Sequence, residues 1–378
     1  MSFNPEQKPL DASISAKPLQ PDDSVRRKSD VEPYPVKFYP VPKERVWGGH
    51  DLKQMFAPRV RDEVPDGPIG EYWVLSGHPN GVSIVSNGPY RGYSLVELTE
   101  MFPSEYLGAS MQPRFPLLIK FLEAADDLSV QVHPSDDMAQ AVEGDYGKTE
   151  AWYVLECAPN GKVVYGHNFS SRAELKRAFE TKRVTDYLRY QTIHPHDTVF
   201  VPSQTLHALL KGTKVIEVQQ TSDVTYRVYD WDRVGTDGSP RELHVDKAAD
   251  VLFTDRHEGA MVGAVASRNV TRPGLQASAG DTKVLVDCPY FTLYEWQMSA
   301  HSQAVLHRLG SVTPDILIVV DGTGTMTWGD DGEVPLVPGD TCLIPVSVDE
   351  VRIRSGASQD KAQHQGSTDF LRLLLARY

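Results

Sequence analysis

Short runs of alternating apolar and polar residues, separated by turns rich in glycine and proline, constrain the fold of this chain more than any other feature. In the C-terminal half such runs lie at residues 290–296, 316–320, 325–328, 341–345, 350–354 and 370–377. Side chains alternate between the two faces of a strand, so period-two runs predict half-buried β-strands. Short strands at regular spacing are typical of β-sandwiches and barrels. We therefore predict a mainly β fold.

The N-terminal half combines further strands with a few helices. Strands are predicted at 34–39, 69–76, 81–88, 115–121, 128–133, 197–201, 213–220 and 225–229. The second and third of these are predicted to form a hairpin around the turn at 78–80. Helices are predicted at 94–101, 136–142 and 171–190. Ser94 and Ser171 are expected to cap the first and last of these helices, because a glutamate follows each of them three positions later.

Composition divides the chain into segments. At 378 residues the chain is long enough for two or three domains, taking about 150 residues per domain as the prior. Residues 1–34 are rich in Pro, Ser, Asp and Lys and are predicted to form a disordered tail. Residues 258–282 are rich in Gly, Ala and Ser and are predicted to form a linker. The predicted domains are therefore 35–257 and 283–378.

Charge and cysteine content restrict the partners and the compartment. The formal net charge of -13 argues against nucleic acid or an anionic membrane surface, although a few local Lys and Arg could still bind a phosphorylated metabolite. Cys157, Cys288 and Cys342 are too far apart for a CxxC metal motif and indicate a reduced, intracellular chain. We find no apolar run of membrane-spanning length and no signal-peptide core at the N-terminus, so a cytoplasmic protein is expected.

The strand predicted at 128–133 carries an unusual polar face. Gln131 and His133 lie two residues apart on that face, so both can point toward one centre. Glu150 opens an apolar strand further along the chain, and His207 follows a turn that begins with a proline. Two imidazoles, a carboxylate and an amide oxygen suit a borderline divalent ion such as zinc. The alternative is that the two histidines are ordinary core or edge residues, but the four together favour a metal site.

Other polar residues leave two interpretations open. Lys120 interrupts an apolar strand, and either a structural ion pair or a substrate contact explains it equally well. Arg227 could be a surface residue with a buried stem, or it could stabilise negative charge on a sugar oxygen. His194 and His196 have ligand-like spacing but precede a strand in a turn, where solvated histidines are the simpler interpretation.

Five segments, in order along the chain, resemble type I mannose-6-phosphate isomerases of the short bacterial kind, which are zinc enzymes of the cupin superfamily. They are residues 115–120 (FPLLIK), 128–134 (LSVQVHP), 147–153 (GKTEAWY), 201–208 (VPSQTLHA) and 219–230 (QQTSDVTYRVYD). The resemblance runs from about residue 36 to residue 252, and residues 47–49, 70–73 and 241–244 add to it. It implies two cupin-type β-barrel or jelly-roll domains, with a few helices inserted in the N-terminal half.

The same resemblance implies roles for individual residues. Zinc, one ion per chain, is expected on Gln131, His133, Glu150 and His207. The residues expected to act in catalysis are Arg227, Glu217 and Lys148. Lys120 and Ser129 are expected to contact the substrate. The C-terminal domain offers no QxH or HxH pair around residues 322–345 and is expected to bind no metal.

The implied reaction is the interconversion of mannose 6-phosphate and fructose 6-phosphate, which moves a proton between C2 and C1 through a cis-enediolate. Glu217 is one candidate for the base, and Lys148 or a zinc-bound water is the alternative. The expected partner is a sugar phosphate, and the expected assembly is a monomer or a weak homodimer. Three other functions remain open: isomerisation or epimerisation of another sugar phosphate, sugar-phosphate binding without catalysis, and a cupin dioxygenase, which would normally carry a more His-rich ligand set.

Overall fold

Antiparallel strands arranged in four sheets form the framework of the chain in the computed structural model. The structure describes residues 31–110, 112–235, 238–253, 268–269, 275–277, 280–308, 310–356 and 370–378. The mainly β prediction is confirmed, with open sheets in place of closed barrels. No helix within these ranges is long and apolar enough to cross a membrane.

The strands and helices have the following bounds. The strands up to residue 229 are β1 (Val36–Tyr39), β2 (Val41–Gly49), β3 (Ile69–Leu75), β4 (Ile84–Val85), β5 (Leu117–Ala124), β6 (Val130–Val132), β7 (Glu150–Glu156), β8 (Lys162–His167), β9 (Leu188–Thr192), β10 (Thr198–Val201), β11 (His207–Ala208), β12 (Thr213–Gln220) and β13 (Tyr226–Tyr229). The later strands are β14 (Arg268–Asn269), β15 (Leu275–Ala277), β16 (Asp281–Asp287), β17 (Thr292–Ser299), β18 (Gln303–His307), β19 (Asp315–Asp321), β20 (Gly324–Trp328), β21 (Gly332–Leu336), β22 (Thr341–Ile344), β23 (Glu350–Ser355) and β24 (Phe370–Arg377). The helices are α1 (Asp51–Phe56), α2 (Leu95–Met101), α3 (Pro103–Tyr106), α4 (Asp136–Val142), α5 (Arg172–Glu180) and α6 (Val245–Leu252), with 3-10 turns at Ala57–Arg59 and Val184–Tyr187.

Two sheets from the first part of the chain form a sandwich. One has six strands in the order β10-β7-β12-β5-β3-β2, and the other has five in the order β13-β6-β11-β8-β9. Their facing sides share an apolar cluster that includes Val154 of β7, Val215 of β12 and Val163 of β8. Burial of such side chains stabilises the sandwich by about 1.5–3 kcal/mol for each fully buried valine or leucine.

The five-stranded sheet is covered on its outer side by helices. Val130 and Val132 of β6 belong to a buried cluster with Leu175 of α5 and Ala248 of α6. Since side chains alternate along a strand, the residues between and beside these valines point to the opposite side, into the sandwich. The polar face of β6 is therefore turned inward, and that arrangement positions the site described below.

The later strands form a second sandwich that also uses two strands from the beginning of the chain. Its larger sheet runs β14-β16-β17-β24-β19-β22-β1-β4, and its smaller sheet runs β15-β18-β23-β20-β21. The two sheets share an apolar cluster that includes Leu317 of β19, Leu373 of β24 and Ile353 of β23. β1 pairs with β22 through Val36 and Leu343, so the first described strand completes the second sandwich.

Several local predictions are confirmed. Helix α4 has the predicted bounds Asp136–Val142, and β12 has the predicted bounds Thr213–Gln220. Ser94 caps α2 in a capping box with Glu97, whose carboxylate accepts a hydrogen bond from the Ser94 backbone N–H. Ser171 caps α5 by accepting a hydrogen bond from the backbone N–H of Glu174.

The prediction of one helix over 171–190 is wrong beyond residue 180. Helix α5 ends at Glu180, and Lys182 adopts a left-handed conformation with φ 55 that stops the helix. The chain then makes a 3-10 turn and continues as β9, which pairs with β8 at the edge of the five-stranded sheet. The sheet partner, which is not local in sequence, therefore decides the conformation of residues 188–192.

The predicted hairpin of 69–76 with 81–88 is also wrong. β3 lies between β2 and β5 in the six-stranded sheet, so both of its edges are already paired. β4 contains only Ile84 and Val85 and pairs with β1 in the other sandwich.

The predicted domain limits remain predictions. Residues 1–30 of the predicted tail lie outside the described residues, as does most of the predicted linker at 258–282. Within that linker, the described strands β14 and β15 pair with β16 and β18.

Candidate active site

Two rows of side chains face each other inside the first sandwich. On the six-stranded sheet, Trp73, Lys120, Glu217 and Trp152 are register partners on the adjacent strands β3, β5, β12 and β7. Register partners in antiparallel sheets share a face, so these four side chains form one row.

The opposite row belongs to the five-stranded sheet. Arg227 of β13 and His207 of β11 are both register partners of Gln131 on β6. The ring of His207 lies 5.4 Å from that of Trp152, measured between centroids, which brings the two rows into contact. A cavity of about 400 Å³ opens beside them, and its walls include Lys120, Ser129, Gln131, Lys148, Glu217 and Arg227.

Three buried groups converge next to Gln131 and Lys148, two residues of the cavity wall. One ligand atom from each of His133, Glu150 and His207 lies within 4.8 Å of the other two. Glu150 Oε2 is 3.6 Å from His133 Nε2, and Glu150 Oε1 is 3.4 Å from His207 Nε2. The side-chain amide of Gln131 lies 3.5 Å from His207 Nε2, so it reaches the same centre. Rotating this amide by 180° presents its oxygen, the atom that can bind a cation, to the same centre.

The donor atoms of this centre fit a divalent cation. Nδ1 of His133 lies 2.8 Å from the Val224 carbonyl, and Nδ1 of His207 lies 2.8 Å from the Thr205 carbonyl. Carbonyls only accept hydrogen bonds, so each Nδ1 carries the proton and each Nε2 offers a lone pair to the centre. Both oxygens of Glu150 are buried without a well-directed hydrogen bond, and the Lys148 ammonium beside Oε2 offsets only part of the cost of burying this charge.

The charge states of the three groups agree with this fit. Burial lowers the pKa of His207 to about 4, and burial followed by the charge of Lys148 lowers the pKa of His133 well below its ordinary value. Burial, followed by the charge of Glu217, raises the pKa of Glu150 to about 7. A divalent cation favours neutral imidazoles and an ionised carboxylate, and so would hold Glu150 in its charged form.

Charged groups continue from this centre along the six-stranded sheet. Lys148 Nζ lies 3.0 Å from Glu150 Oε2 and 4.0 Å from Glu217 Oε1, and Lys120 Nζ lies 3.1 Å from Glu217 Oε1. Burial lowers the pKa of Lys148, but Glu150 and Glu217 outweigh it and raise the pKa above its usual range. Burial raises the pKa of Glu217, but Lys120 and Lys148 outweigh it and lower the pKa. This part of the cavity therefore presents two ammonium groups with a carboxylate between them.

Both interpretations of Lys120 describe its surroundings correctly. It is 3% exposed and forms an ion pair with Glu217, as the structural interpretation requires. It also lines the cavity, as the substrate-contact interpretation requires.

Arg227 and Ser129 lie on the other side of the cavity. Arg227 Nη1 donates to the Glu242 carbonyl at 2.8 Å, and Nε donates to Ser129 Oγ at 3.3 Å. Burial, followed by the charge of Arg241, lowers the pKa of Arg227. The guanidinium is nevertheless a cation at neutral pH, held at a fixed position by a carbonyl and a hydroxyl.

The sequence interpretation gave no role to several cavity residues. Arg45, Glu71, Asp223, Thr225 and Arg241 also line the cavity. The sequence did contain a signal for Glu71, because it is the one charged residue in the otherwise uncharged stretch 69–75. In the structure every residue of that strand is buried. His194, by contrast, is exposed at a turn and pairs with Asp197. His196 contacts Tyr153 and Arg372. Neither histidine lines this cavity.

Comparison with known proteins places these features in a family context. Residues 36–154 match the catalytic domain of type I phosphomannose isomerases, and residues 281–358 match the cupin domain of mannose-6-phosphate isomerases. The chain is 37% identical over 321 residues to the putative mannose-6-phosphate isomerase YvyI of Bacillus subtilis, covering 85% of this chain and 96% of that protein. It is 38% identical over 306 residues to a mannose-6-phosphate isomerase of Streptococcus mutans, covering 81% and 90%.

A solved structure gives the same result. The crystal structure of the mannose 6-phosphate isomerase from Bacillus subtilis matches with a TM-score of 0.77 at 35% identity, over 92% of this chain and 100% of that chain.

Proposed function

The chain belongs to the type I phosphomannose isomerases, a family of aldose–ketose isomerases, and on this basis we propose that it interconverts D-mannose 6-phosphate and D-fructose 6-phosphate with a bound zinc ion. The observation that carries the proposal is the buried centre of His133, Glu150 and His207, which adjoins Gln131 and Lys148 in the wall of a cavity with charged sides. A carboxylate and two ammonium groups lie on one side of the cavity and a guanidinium on the other. Isomerisation of a sugar phosphate requires charges of this kind.

Zinc would be held by Gln131, His133, Glu150 and His207. The mixed nitrogen and oxygen donors suit a borderline ion. The bound ion supplies Lewis acidity toward the sugar oxygens that carry charge in the reaction.

The proton transfer between C2 and C1 needs a base that can reach both carbons. We assign that role to Glu217, because it lines the cavity and its buried Oε1 faces the ammonium groups of Lys120 at 3.1 Å and Lys148 at 4.0 Å, which keep the carboxylate ionised. Its Oε2 accepts a hydrogen bond from Trp152 Nε1 at 3.1 Å, which fixes the carboxylate. Burial lowers the pKa of Lys148, but Glu150 and Glu217 outweigh it and raise the pKa, so Lys148 stays protonated and acts as a donor in the cavity rather than as a base.

The remaining residues orient the substrate and stabilise charge. Arg227 places a fixed positive charge beside the enediolate oxygen. Ser129, which holds Arg227 by a hydrogen bond, lies on the substrate side of β6 next to Gln131. Lys120 offers an ammonium to the sugar from the opposite wall. A cytoplasmic location and a monomer or weak homodimer remain predictions from the sequence.

A coupled assay on purified protein tests the proposal. Conversion of mannose 6-phosphate to fructose 6-phosphate is followed before chelation, after chelation and after zinc is added back. Activity that is lost on chelation and restored by zinc is the expected result. A zinc-loaded protein with no turnover of mannose 6-phosphate would contradict the proposed substrate, and other sugar phosphates would then be assayed. Turnover that persists in fully metal-free protein would contradict the metal requirement.

The ligand assignment is tested by His207→Ala. The variant should remain folded, bind metal at least about 100-fold more weakly and lose activity, since even partners of ligands cost 10–100-fold. His194→Ala is the matched control, because His194 is exposed and far from the cavity wall, and it should keep both metal and turnover. Metal content by elemental analysis and the circular dichroism spectrum are measured beside activity. Full activity of metal-free His207→Ala protein would refute the assignment.

A further inference from the structure

Glu71 is a buried carboxylate that the proposed reaction does not use. It lies on β3 with 7% of its surface exposed, and it lines the cavity. Its Oε1 accepts a hydrogen bond from Arg45 Nε at 2.7 Å, and its Oε2 accepts one from Trp73 Nε1 at 2.6 Å. Both oxygens are thus already engaged by neighbours in the protein, so Glu71 is poorly placed to accept a proton from the substrate.

The ammonium of Lys120 is held on three sides. It lies 3.1 Å from Glu217 Oε1, 3.8 Å from Glu71 Oε2 and 5.2 Å from the centroid of the Trp73 ring. Trp73 and Glu217 are its register partners on the two neighbouring strands, so the sheet itself fixes this arrangement. Glu71 is the contact that attracts the ammonium away from Glu217.

Charges of alternating sign run from the cavity wall to the candidate metal centre. In spatial order they are Arg45, Glu71, Lys120, Glu217, Lys148 and Glu150. If Glu71 loses its charge, the nearest remaining anion for Lys120 is Glu217. The ammonium already lies 3.1 Å from Glu217 Oε1, and with Glu217 as its only partner it would pair more tightly there. It would then cover the atom that the substrate has to reach and weaken that carboxylate as a base.

We propose that Glu71 is a positioning residue, which shares the Lys120 ammonium with Glu217 and so keeps it from pairing with the Glu217 carboxylate alone. This inference rests on the proposed function. The charge of Glu71 is secure, because Lys120 and Arg45 outweigh the effect of burial and lower its pKa to about 2. It therefore stays anionic throughout the pH range of an assay.

The main experiment compares Glu71→Gln with Glu71→Asp. Glutamine keeps the shape but removes the charge, so kcat should fall on the order of 10²-fold, as for a misplaced catalytic group, with KM little changed. Aspartate keeps the charge on a shorter side chain, so it should recover most of the lost kcat. Both variants should keep the metal content of the wild type, because Glu71 contacts none of the candidate ligands.

Glu123→Gln is the matched control. Glu123 is also a buried carboxylate of the same sheet, but it binds backbone N–H groups of α1 and does not line the cavity. Its variant should melt at a lower temperature with kcat unchanged. A loss of melting temperature in Glu71→Gln without a loss of kcat would show that Glu71 only stabilises the fold, and it would overturn the proposal.

Two further results would also overturn it. Equal losses in Glu71→Gln and Glu71→Asp, with KM raised in both, would mean that Glu71 contacts the substrate itself. If Glu71→Gln fails to fold, Arg45→Gln takes its place, since Arg45 is partly exposed and fixes Glu71 Oε1. That variant should lower kcat rather than raise KM, and an unchanged kcat would count against the proposal.

Inactivity of the wild type toward mannose 6-phosphate is a separate outcome, which refutes the proposed function and is seen before any variant is made.

Discussion

Gln131 and His133 point into the sandwich because the residues beside them are needed on the outside. Val130 and Val132 pack against the helices that cover the five-stranded sheet, and the strand alternation then turns the polar residues inward. In most sandwiches the polar face of a strand meets water and the apolar face meets the core. Here the helices reverse that relation, which allows an imidazole and an amide to reach a buried centre.

Arg227→Ala separates charge stabilisation from metal binding. The Arg227 side chain donates hydrogen bonds to Ser129 and the Glu242 carbonyl, and to none of His133, Glu150 and His207. The variant should therefore keep its metal and lose about 10²–10³-fold in kcat, the usual cost of removing one donor to a developing oxyanion. Steady-state kinetics and elemental analysis are the measurements.

Arg233→Ala is the control for that substitution. Arg233 follows Arg227 closely in sequence but pairs with Asp230 and Asp126 and does not line the cavity. Its kcat should match the wild type. Near-normal turnover of Arg227→Ala would remove Arg227 from the mechanism.

The sequence predicts the residues of the site better than it predicts their partners. Gln131 and His133 could be found because they are two residues apart on one strand. Glu150 at the start of an apolar strand and His207 after a proline-led turn completed the candidate set, and the resemblance then implied the same four residues. The role of Glu71 could not be found in this way, because it depends on Arg45 of β2 and Lys120 of β5, which are 26 and 49 positions away in the chain. Contacts of this kind follow from strand register, which the pattern of a single strand does not contain.

At the scale of elements, a strand residue supplies the cap that one helix lacks. His50 precedes α1 but makes no side-chain capping bond. The Glu123 carboxylate of β5 accepts hydrogen bonds from the backbone N–H groups of Asp51 at 3.1 Å and Leu52 at 2.9 Å instead. A Cβ on Gly49 would lie 1.8 Å from Glu123 Oε1, so glycine at this position leaves room for the contact.

Glu123→Ala should therefore reduce the free energy of unfolding by about 2–3 kcal/mol, because a buried charge-assisted contact to two helix donors is lost. Chemical denaturation is the measurement, and turnover per folded molecule should be retained. Glu180→Ala, at an exposed position of α5, should change stability by no more than about 0.5 kcal/mol. Equal stability of the two variants would show that Glu123 does not anchor α1.

For α5 the sequence predicts the start correctly but not the end. The start of α5 is encoded locally by Ser171 and Glu174, three positions apart, and this cap is present. Its end was misplaced because the residues after Glu180 are recruited as β9 by β8, an interaction that a helical pattern cannot reveal. The missed separation of β3 from β4 has the same cause, since both edges of β3 are already taken.

At the scale of the whole molecule, the first strand of the described chain belongs to the last sandwich. Val36 pairs with Leu343 and Phe38 pairs with Val85, and both Val36 and Phe38 are buried. Lys37 adds an ion pair, with its Nζ 2.6 Å from Asp340 Oδ2. The mainly β class follows from strand pattern alone, but this pairing over some 300 positions does not, because many strands of similar composition could have filled the place.

Two truncations test what the N-terminal region contributes. Residues 33–378 group as one unit and contain every residue assigned to the site, so a protein that starts at residue 33 should keep the stability, metal content and turnover of the full chain.

A protein that starts at residue 41 additionally loses β1. It should lose about 3–6 kcal/mol of stability, the value of burying one valine and one phenylalanine. β1 is not a strand of either sheet that carries the site, so the folded fraction of the shorter protein should still bind metal. The measurements are chemical denaturation and elemental analysis of both truncated proteins. Equal stability of the two proteins would show that β1 is dispensable for folding. Loss of metal from folded molecules of the shorter protein would show that the site depends on the second sandwich.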